Sequence, residues 1–401
     1  MPEQSPSPSP VTGLILSGGG ARAAYQVGVL SAIAELLPET GQNPFPVIVG
    51  TSAGAVNAVG LACGALQFGT AIQRLTAVWR GFHTGHIYRS DWSGVVRQAG
   101  RFVARHLLGF AGDRPVALLD NAPLGELLAR ELDFSGIAAA VRQRRLRAVA
   151  VTAFGYETGQ AVTFYQGRAT IDPWFRHRRV GVPTRLNVEH LLASAAIPML
   201  FPPVKVHREY FGDGALRQFA PISPALHLGA NRVLVIGVSG PRRNGDANAE
   251  VPRPTGGRPP SLAQIGGHML NSTFVDSLES DLETLQRINL LSGLLSDTAR
   301  TRLGVRPVEV LTIAPSQPLE QLAAHYRAEL PRALRPFFYG PGATRSGGAV
   351  LLSYLLFEPG YCNALIELGY RDAMAQREVL GRFLAVEASL PSSQAVSRPS
   401  R

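Results

Sequence analysis

Two short apolar runs, Val11 to Ser17 and Pro46 to Gly50, are each followed at once by small residues and then by a helical stretch. The first runs into Gly18-Gly19-Gly20 and a helix predicted over Ala21 to Leu37. The second runs into Gly50-Thr51-Ser52-Ala53-Gly54 and a helix predicted over Ala55 to Leu66. A strand that turns sharply into a helix presents its turn at the carboxyl end of a sheet, beside a helix N-terminus. Further β-rich runs cover Arg147 to Phe154 and Ala161 to Gln166, around a hairpin at Glu157-Thr158-Gly159. Buried strands are also predicted over Arg232 to Ser239 and Val308 to Ala314, with a long helical pattern from Leu262 to Leu291 between them. Buried strands alternating with helices imply an α/β chain: a mostly parallel central sheet covered by helices on both faces, three layers in all.

The two turns carry the chemistry. Gly50-Thr51-Ser52-Ala53-Gly54 fits G-x-S-x-G, in which small neighbours let the chain fold closely on itself and expose the central serine as a nucleophile. Gly18-Gly19-Gly20-Ala21-Arg22 lets successive N–H groups converge on one negative atom. As G-x-G-x-x-A it fits a dinucleotide-binding turn, but that unit wants an acidic residue ending the second strand, and this strand ends in Gly50-Thr51-Ser52. The same N–H groups would serve as an oxyanion hole, with Arg22 adding positive charge or forming an ordinary surface ion pair. A serine needs a base. His227, His268 and His325 come late enough in the chain for a Ser–acid–His order, but none lies in a clear strand-end loop. Asp213, within Phe211-Gly212-Asp213-Gly214-Ala215, is the more suggestive group, because a desolvated carboxylate can itself accept a serine proton.

Composition sets the remaining bounds. A chain of 401 residues, 45% hydrophobic, buries a large core. It contains no uninterrupted run of about 18 apolar residues that would predict a spanning helix. The Ser/Pro-rich start, 1–10, lacks a basic n-region and reads as a disordered tail, not a signal peptide, as does the end, 386–401. Cys63 and Cys362 stand far apart in apolar helical settings, which suits free thiols in a reducing, cytoplasmic compartment. The net charge is +10, and of 39 basic residues only Lys205 is lysine. Genomic base composition accounts for the arginines as well as attraction to an anionic surface does. There is neither zinc-finger spacing nor an aromatic-rich RNA-binding signature, so lipid and not nucleic acid is the expected anionic partner. Trp92 to Phe110 fits a basic amphipathic helix, with Arg97, Arg101 and Arg105 on one face, either packed on the domain or lying in a lipid interface as part of a lid over about 83–118. The Gly/Pro/Arg-rich stretch 241–260 reads as a mobile loop.

Taken together, Gly18-Gly19-Gly20-Ala21-Arg22, Gly50-Thr51-Ser52-Ala53-Gly54 and Asp213-Gly214-Ala215 resemble the patatin-like phospholipase family in order and spacing. Ala193-Ser194-Ala195-Ala196-Ile197-Pro198, leading through Phe201-Pro202-Pro203 to the aspartate, is similar to the family's approach to that motif. One departure is Ala23, where many members place a glycine. The resemblance implies a patatin-like catalytic domain over 11–315 and a helical C-terminal extension over 316–385 packed on it. It also implies a Ser52–Asp213 dyad that needs no histidine, cofactor or metal, with the Gly18, Gly19 and Gly20 amides and Arg22 around the oxyanion. The implied substrate is an acyl ester of a phospholipid or lysophospholipid, reached through transient contact with an anionic membrane surface. Acyl transfer from the same acyl-enzyme, or a silent lipid-binding scaffold, are the alternative functions.

Overall fold

The computed structural model describes residues 10–38, 42–89, 117–240, 262–273, 277–332, 335 and 347–384. Both predicted tails (Pro10 apart), the loop 241–260 and the 90–116 part of the predicted lid, with its arginine row, lie outside the described residues.

Ten strands form one mixed sheet. They are β1 (Thr12–Leu16), β2 (Val47–Thr51), β3 (Ala148–Gly155), β4 (Ala161–Gly167), β5 (Trp174–Arg176), β6 (Arg179–Pro183), β7 (Val204–Val206), β8 (Glu209–Asp213), β9 (Arg232–Ile236) and β10 (Glu309–Ile313). The main path runs β10-β9-β1-β2-β3-β4-β6-β5, and β10 through β3 are parallel. β4 returns antiparallel to β3 through the predicted hairpin, and the β7–β8 hairpin joins β3 at its far end. The helices used below are α1 (Ala24–Leu36), α2 (Ala53–Cys63), α3 (Phe68–Arg80), α4 (Val188–Ser194), α5 (Leu262–Asn271), α6 (Ser277–Gly293), α7 (Asp297–Leu303), α8 (Gly347–Leu355) and α9 (Pro359–Ala375).

Residue alternation divides the core. Leu14, Leu16, Ile48, Val149, Val151 and Leu234 face α1, α2, α3 and the C-terminal helices. Ile15, Val47, Val49, Ala148, Val233 and Val235 face the other way, against Ile222, Leu228, Leu278 and Leu285. Because both faces are covered, these strands read as continuous apolar runs. The predicted architecture, a mostly parallel sheet with helices on both sides and further helices at the C-terminus, is therefore found. The helical pattern over 262–291 is found as α5 and α6, and 274–276 between them lie outside the described residues. Two details differ: the helix after Gly20 opens as a 3-10 turn, Gly20–Ala23, and β5 to β8 were not predicted. Those four strands are short, and charged residues such as exposed Arg176 and Lys205 and half-buried Glu209 break their apolar alternation.

The C-terminal helices are fastened to the sheet layer through α1. At the α1–α9 crossing, a Cβ on Gly28 would overlap the Ile366 carbonyl, and one on Gly369 would overlap that of Tyr25. Backbones meet there because neither helix carries a side chain. Beside the crossing, the Tyr25 hydroxyl donates to Asp372 Oδ2 at 3.0 Å, and the Ser316 amide donates to the same oxygen at 2.9 Å. Among the described residues no single helix is long and apolar enough to cross a membrane; Gly348–Leu355 and Pro359–Ala375 pass that test only as a pair bent by 89°. Gly28→Leu should separate α1 from α9 and cost roughly 3 kcal/mol by overpacking. Urea denaturation measures this, and an unchanged midpoint would refute the crossing.

Candidate active site

β2 ends at Thr51, and the next residue, Ser52, has φ 54° and ψ −130°. Non-glycine residues rarely adopt positive φ, and holding one there costs roughly 1–3 kcal/mol. Backbone proximity enforces the conformation: a Cβ on Gly50 would overlap the Gly54 carbonyl, and one on Gly54 would overlap those of Leu16 and Ser17. The elbow is therefore wedged between its own helix and the end of β1. Hydrogen bonds complete it. The Ser52 amide donates to Ser194 Oγ at 2.9 Å, and the Ser194 hydroxyl donates to the Thr152 carbonyl at 2.7 Å. Ser52 itself is buried, and its side chain does not cap α2. Ala53 begins that helix.

Asp213 is the last residue of β8 and is 1% exposed. Its Oδ1 accepts the Ala215 amide at 3.0 Å across Gly214, while Oδ2 has no hydrogen-bond partner among the described residues. Burial pushes the carboxyl up to about 7, opposed by the Ser52 hydroxyl and the Ala215 amide, which favour the charged form. Ser52 thus lies close enough to act on the carboxylate, although no bond of full geometry joins the two side chains. Apo sites often have such loose geometry, and here it leaves Oδ2 open to receive a proton. Thr51 and Thr152 are tied to the turn after Asp213: Thr51 Oγ1 donates to Gln218 Oε1 at 2.5 Å, and Gln218 Nε2 donates to Thr152 Oγ1 at 3.4 Å.

The glycine turn reaches the same place. Gly20, at φ 55°, and Ser52 line one cavity. The amides of Gly18 and Gly19 donate to no acceptor among the described residues. Arg22 does not follow its predicted course toward the reacting oxygen. Its side chain is buried and turns away toward α8, with the guanidinium 4.0 Å from the Tyr354 ring centroid. It donates to Ser353 Oγ at 2.8 Å, Tyr354 Oη at 3.2 Å and Asn271 Oδ1 at 3.4 Å, and Nη2 lies 3.9 Å from Glu320 Oε2. The physical reason is packing. The Tyr354 carbonyl fills the space where a Gly20 side chain would stand, so α8 lies directly against the turn that bears Arg22.

From Ser52 the cavity continues as a narrow apolar space, partly open to solvent, walled by Val56, Trp79, Phe82, Phe201 and Phe357. Trp79 is fixed by a 2.7 Å hydrogen bond from its indole N–H to Asn57 Oδ1. Among the described residues no histidine lines the cavity. His227 stacks on Trp174 at 4.9 Å, and His325 is exposed and bonded to the Gln321 carbonyl. Sequence reasoning missed Gln218, Thr152 and the aromatic wall, which lie far apart in the chain. Ser194 stood within the noted Ala193–Pro198 segment, but nothing in the sequence gave it a partner.

The family model of patatin-like phospholipases matches residues 14–226. A "cGAMP-activated phospholipase" of Pseudomonas aeruginosa is 31% identical over 215 residues, covering 53% of this chain and 55% of that protein. The chain thus spans about half the length of that relative. Among solved structures, VipD from Legionella pneumophila aligns with a TM-score of 0.38 at 13% identity, over 93% of this chain and 67% of its own. Human GIVD cytosolic phospholipase A2 aligns at 0.40 and 12%, over 94% and 60%.

The raised carboxyl makes a stability prediction. An unfolded aspartate ionises near pH 4, whereas folded Asp213 keeps its proton to about 7. Between those values the folded state binds more protons, so stability falls as pH rises through that window and is flat above it. Asp213→Asn should remove this slope, match the wild type near pH 4 and exceed it at pH 8 by on the order of 2–4 kcal/mol. Urea titrations at pH 4, 6 and 8 decide it: parallel curves for the two proteins would mean an ordinary carboxyl.

Proposed function

This chain belongs to the patatin-like phospholipase family, and on that premise we propose that it hydrolyses acyl esters of phospholipids or lysophospholipids through Ser52 and Asp213. The observation that carries the reading is the buried Oδ2 of Asp213, unpartnered among the described residues, beside a serine held at positive φ, at the end of an apolar cavity that no described histidine lines. Ser52 Oγ attacks the ester carbonyl while its proton passes to Asp213, and the tetrahedral oxyanion is held by the free amides of the Gly18–Gly20 turn. The tetrahedral centre collapses to an acyl-enzyme, and the departing alcohol takes the proton back from Asp213. Asp213 then takes a proton from water, whose oxygen attacks the acyl carbon, and Ser52 leaves reprotonated with the free acid as product. Arg22 acts in this scheme as a positioning residue, holding the glycine turn against α8 without touching substrate. The acyl chain lies along Val56, Trp79 and Phe82.

A fluorophosphonate probe should label the native protein and leave Ser52→Ala unlabelled; equal labelling would remove Ser52 as the nucleophile. Asp213→Asn should lower kcat by about 10³-fold, whereas replacing His227, His268 or His325 should leave turnover intact. Ester products predominating over free acid when an alcohol acceptor is added would shift the reading to acyl transfer.

The aromatic wall gives a second expectation. Behind Val56, Trp79 and Phe82 lies another cavity, also partly open to solvent, so these residues separate two spaces. Trp79→Leu should join them and move the preferred acyl length upward. Relative kcat/KM across esters from four to sixteen carbons (about that range suffices to see the shift) measures it, and an unchanged profile in a folded variant would mean that the acyl chain takes another route.

A further inference from the structure

Among the described residues, a run of well-exposed leucines lies at the far end of α6 and in α7, which follows it. The first part of α6 belongs to the core, with Leu278 and Leu285 buried against the sheet. Beyond Arg287 the helix turns its leucines outward. Leu290 is 74% exposed, Leu291 63%, Leu294 84% and Leu303, at the end of α7, 63%.

This is a built knob. Asn289 is clamped to the residue just before β10: its Nδ2 donates to the Val308 carbonyl at 2.7 Å, and Val308 N donates to its Oδ1 at 3.0 Å. The turn closes with Leu294 N donating to the Leu291 carbonyl at 3.1 Å and Leu295 N to that of Ser292 at 3.2 Å. Ser296 caps α7, and Gly304, at φ 65°, ends it. Four leucines held in water by an ordered scaffold are a surface waiting for an apolar partner.

The charges around the knob identify that partner. Residues 287–306 hold Arg287, Arg300, Arg302 and Arg306 against a single acid, Asp297. Arg287 pairs with Glu283 and Arg300 with Asp297, while Arg302 and Arg306 are exposed and make no ion pair among the described residues. Exposed leucines and exposed arginines on one short segment match a bilayer interface, where leucines enter the acyl region and guanidinium groups meet anionic head groups. A protein partner would favour tryptophan and tyrosine at the centre of the patch, and residues 287–306 contain no aromatic residue. The whole chain, at net +10, adds long-range attraction of the same sign.

We propose that the α6–α7 knob, through Leu290, Leu291, Leu294 and Leu303 with Arg302 and Arg306, is a docking surface for an anionic bilayer. It rests on the proposed lipid hydrolysis for its purpose, but docking is measured without turnover.

The test is flotation of the full chain with vesicles of phosphatidylcholine alone and of phosphatidylcholine with an equal part of phosphatidylglycerol. The wild type should float with the anionic vesicles and only weakly with the neutral ones. Leu290→Ser/Leu294→Ser and Arg302→Glu/Arg306→Glu should each lower the anionic partition coefficient by about tenfold or more. Hydrolysis of a short-chain, water-soluble ester should stay at the wild-type rate in both variants, because the knob is not part of the site. Undiminished flotation of the leucine variant, or equal wild-type binding to both vesicle types, would overturn the proposal. So would a concentration-dependent dimer, seen without vesicles, that the leucine changes dissolve while flotation persists; the knob would then be a contact between copies. A wild type that floats as expected but cleaves no ester would defeat the proposed hydrolysis and leave the docking surface standing.

Discussion

A serine at φ 54° stores strain, and the surrounding structure has to supply what keeps it there. The supply comes from three directions at once. Gly54 is pressed against the carbonyls that end β1, Gly50 against the first turn of α2, and the Ser52 amide is fixed through Ser194 to the carbonyl of Thr152 on β3. Register is what allows this convergence. Leu16 pairs with Gly50, and Thr51 pairs with Thr152, so β1, β2 and β3 finish at nearly one level. A slip in that register would separate the glycine turn from the elbow and leave neither with a function.

The C-terminal helices belong to the same construction. α8 places the Tyr354 carbonyl against Gly20, stacks the Tyr354 ring on Arg22 and leads into Phe357 of the cavity wall. A buried guanidinium is costly unless paired and hydrogen-bonded, and Arg22 meets that cost with three hydrogen bonds and the nearby Glu320. Its charge is thereby spent on holding helices 330 residues further along the chain (roughly, counting from Arg22) to the glycine turn. This is a structural use of a residue whose motif position suggests chemistry.

What could be read in the sequence was whatever depends on local geometry. The buried strands of the parallel sheet, both strand–turn–helix junctions, the β3–β4 hairpin and the carboxylate at Asp213 each follow from residues within a few positions of one another. Arg22 shows the limit. Its partners, Ser353, Tyr354, Asn271 and Glu320, are distant in the chain, and no pattern around Gly20 announces that α8 lies there. Ser194 and Gln218 were illegible for the same reason, since a hydroxyl or an amide acquires a role only when tertiary contacts bring its partners. β5 to β8 were missed because short, half-exposed strands lack the apolar alternation that longer ones display.

Those missed strands determine why the serine faces a carboxylate. β3 outruns its parallel neighbour: Thr152 is its last residue paired with β2, and Ala153, Phe154 and Gly155 continue past the edge. β8 runs antiparallel along that overhang, pairing Phe211 with Gly155, Gly212 with Phe154 and Asp213 with Ala153. It therefore descends toward the sheet edge and ends one step beyond the level of Thr51. A residue delivered on a strand end is fixed by backbone hydrogen bonds, and here the Asp213 amide is also bound to the Ala196 carbonyl at 2.8 Å. Burial at that strand end excludes water from Asp213, which raises its affinity for a proton. Topology thus sets both the position of the carboxylate and its basicity.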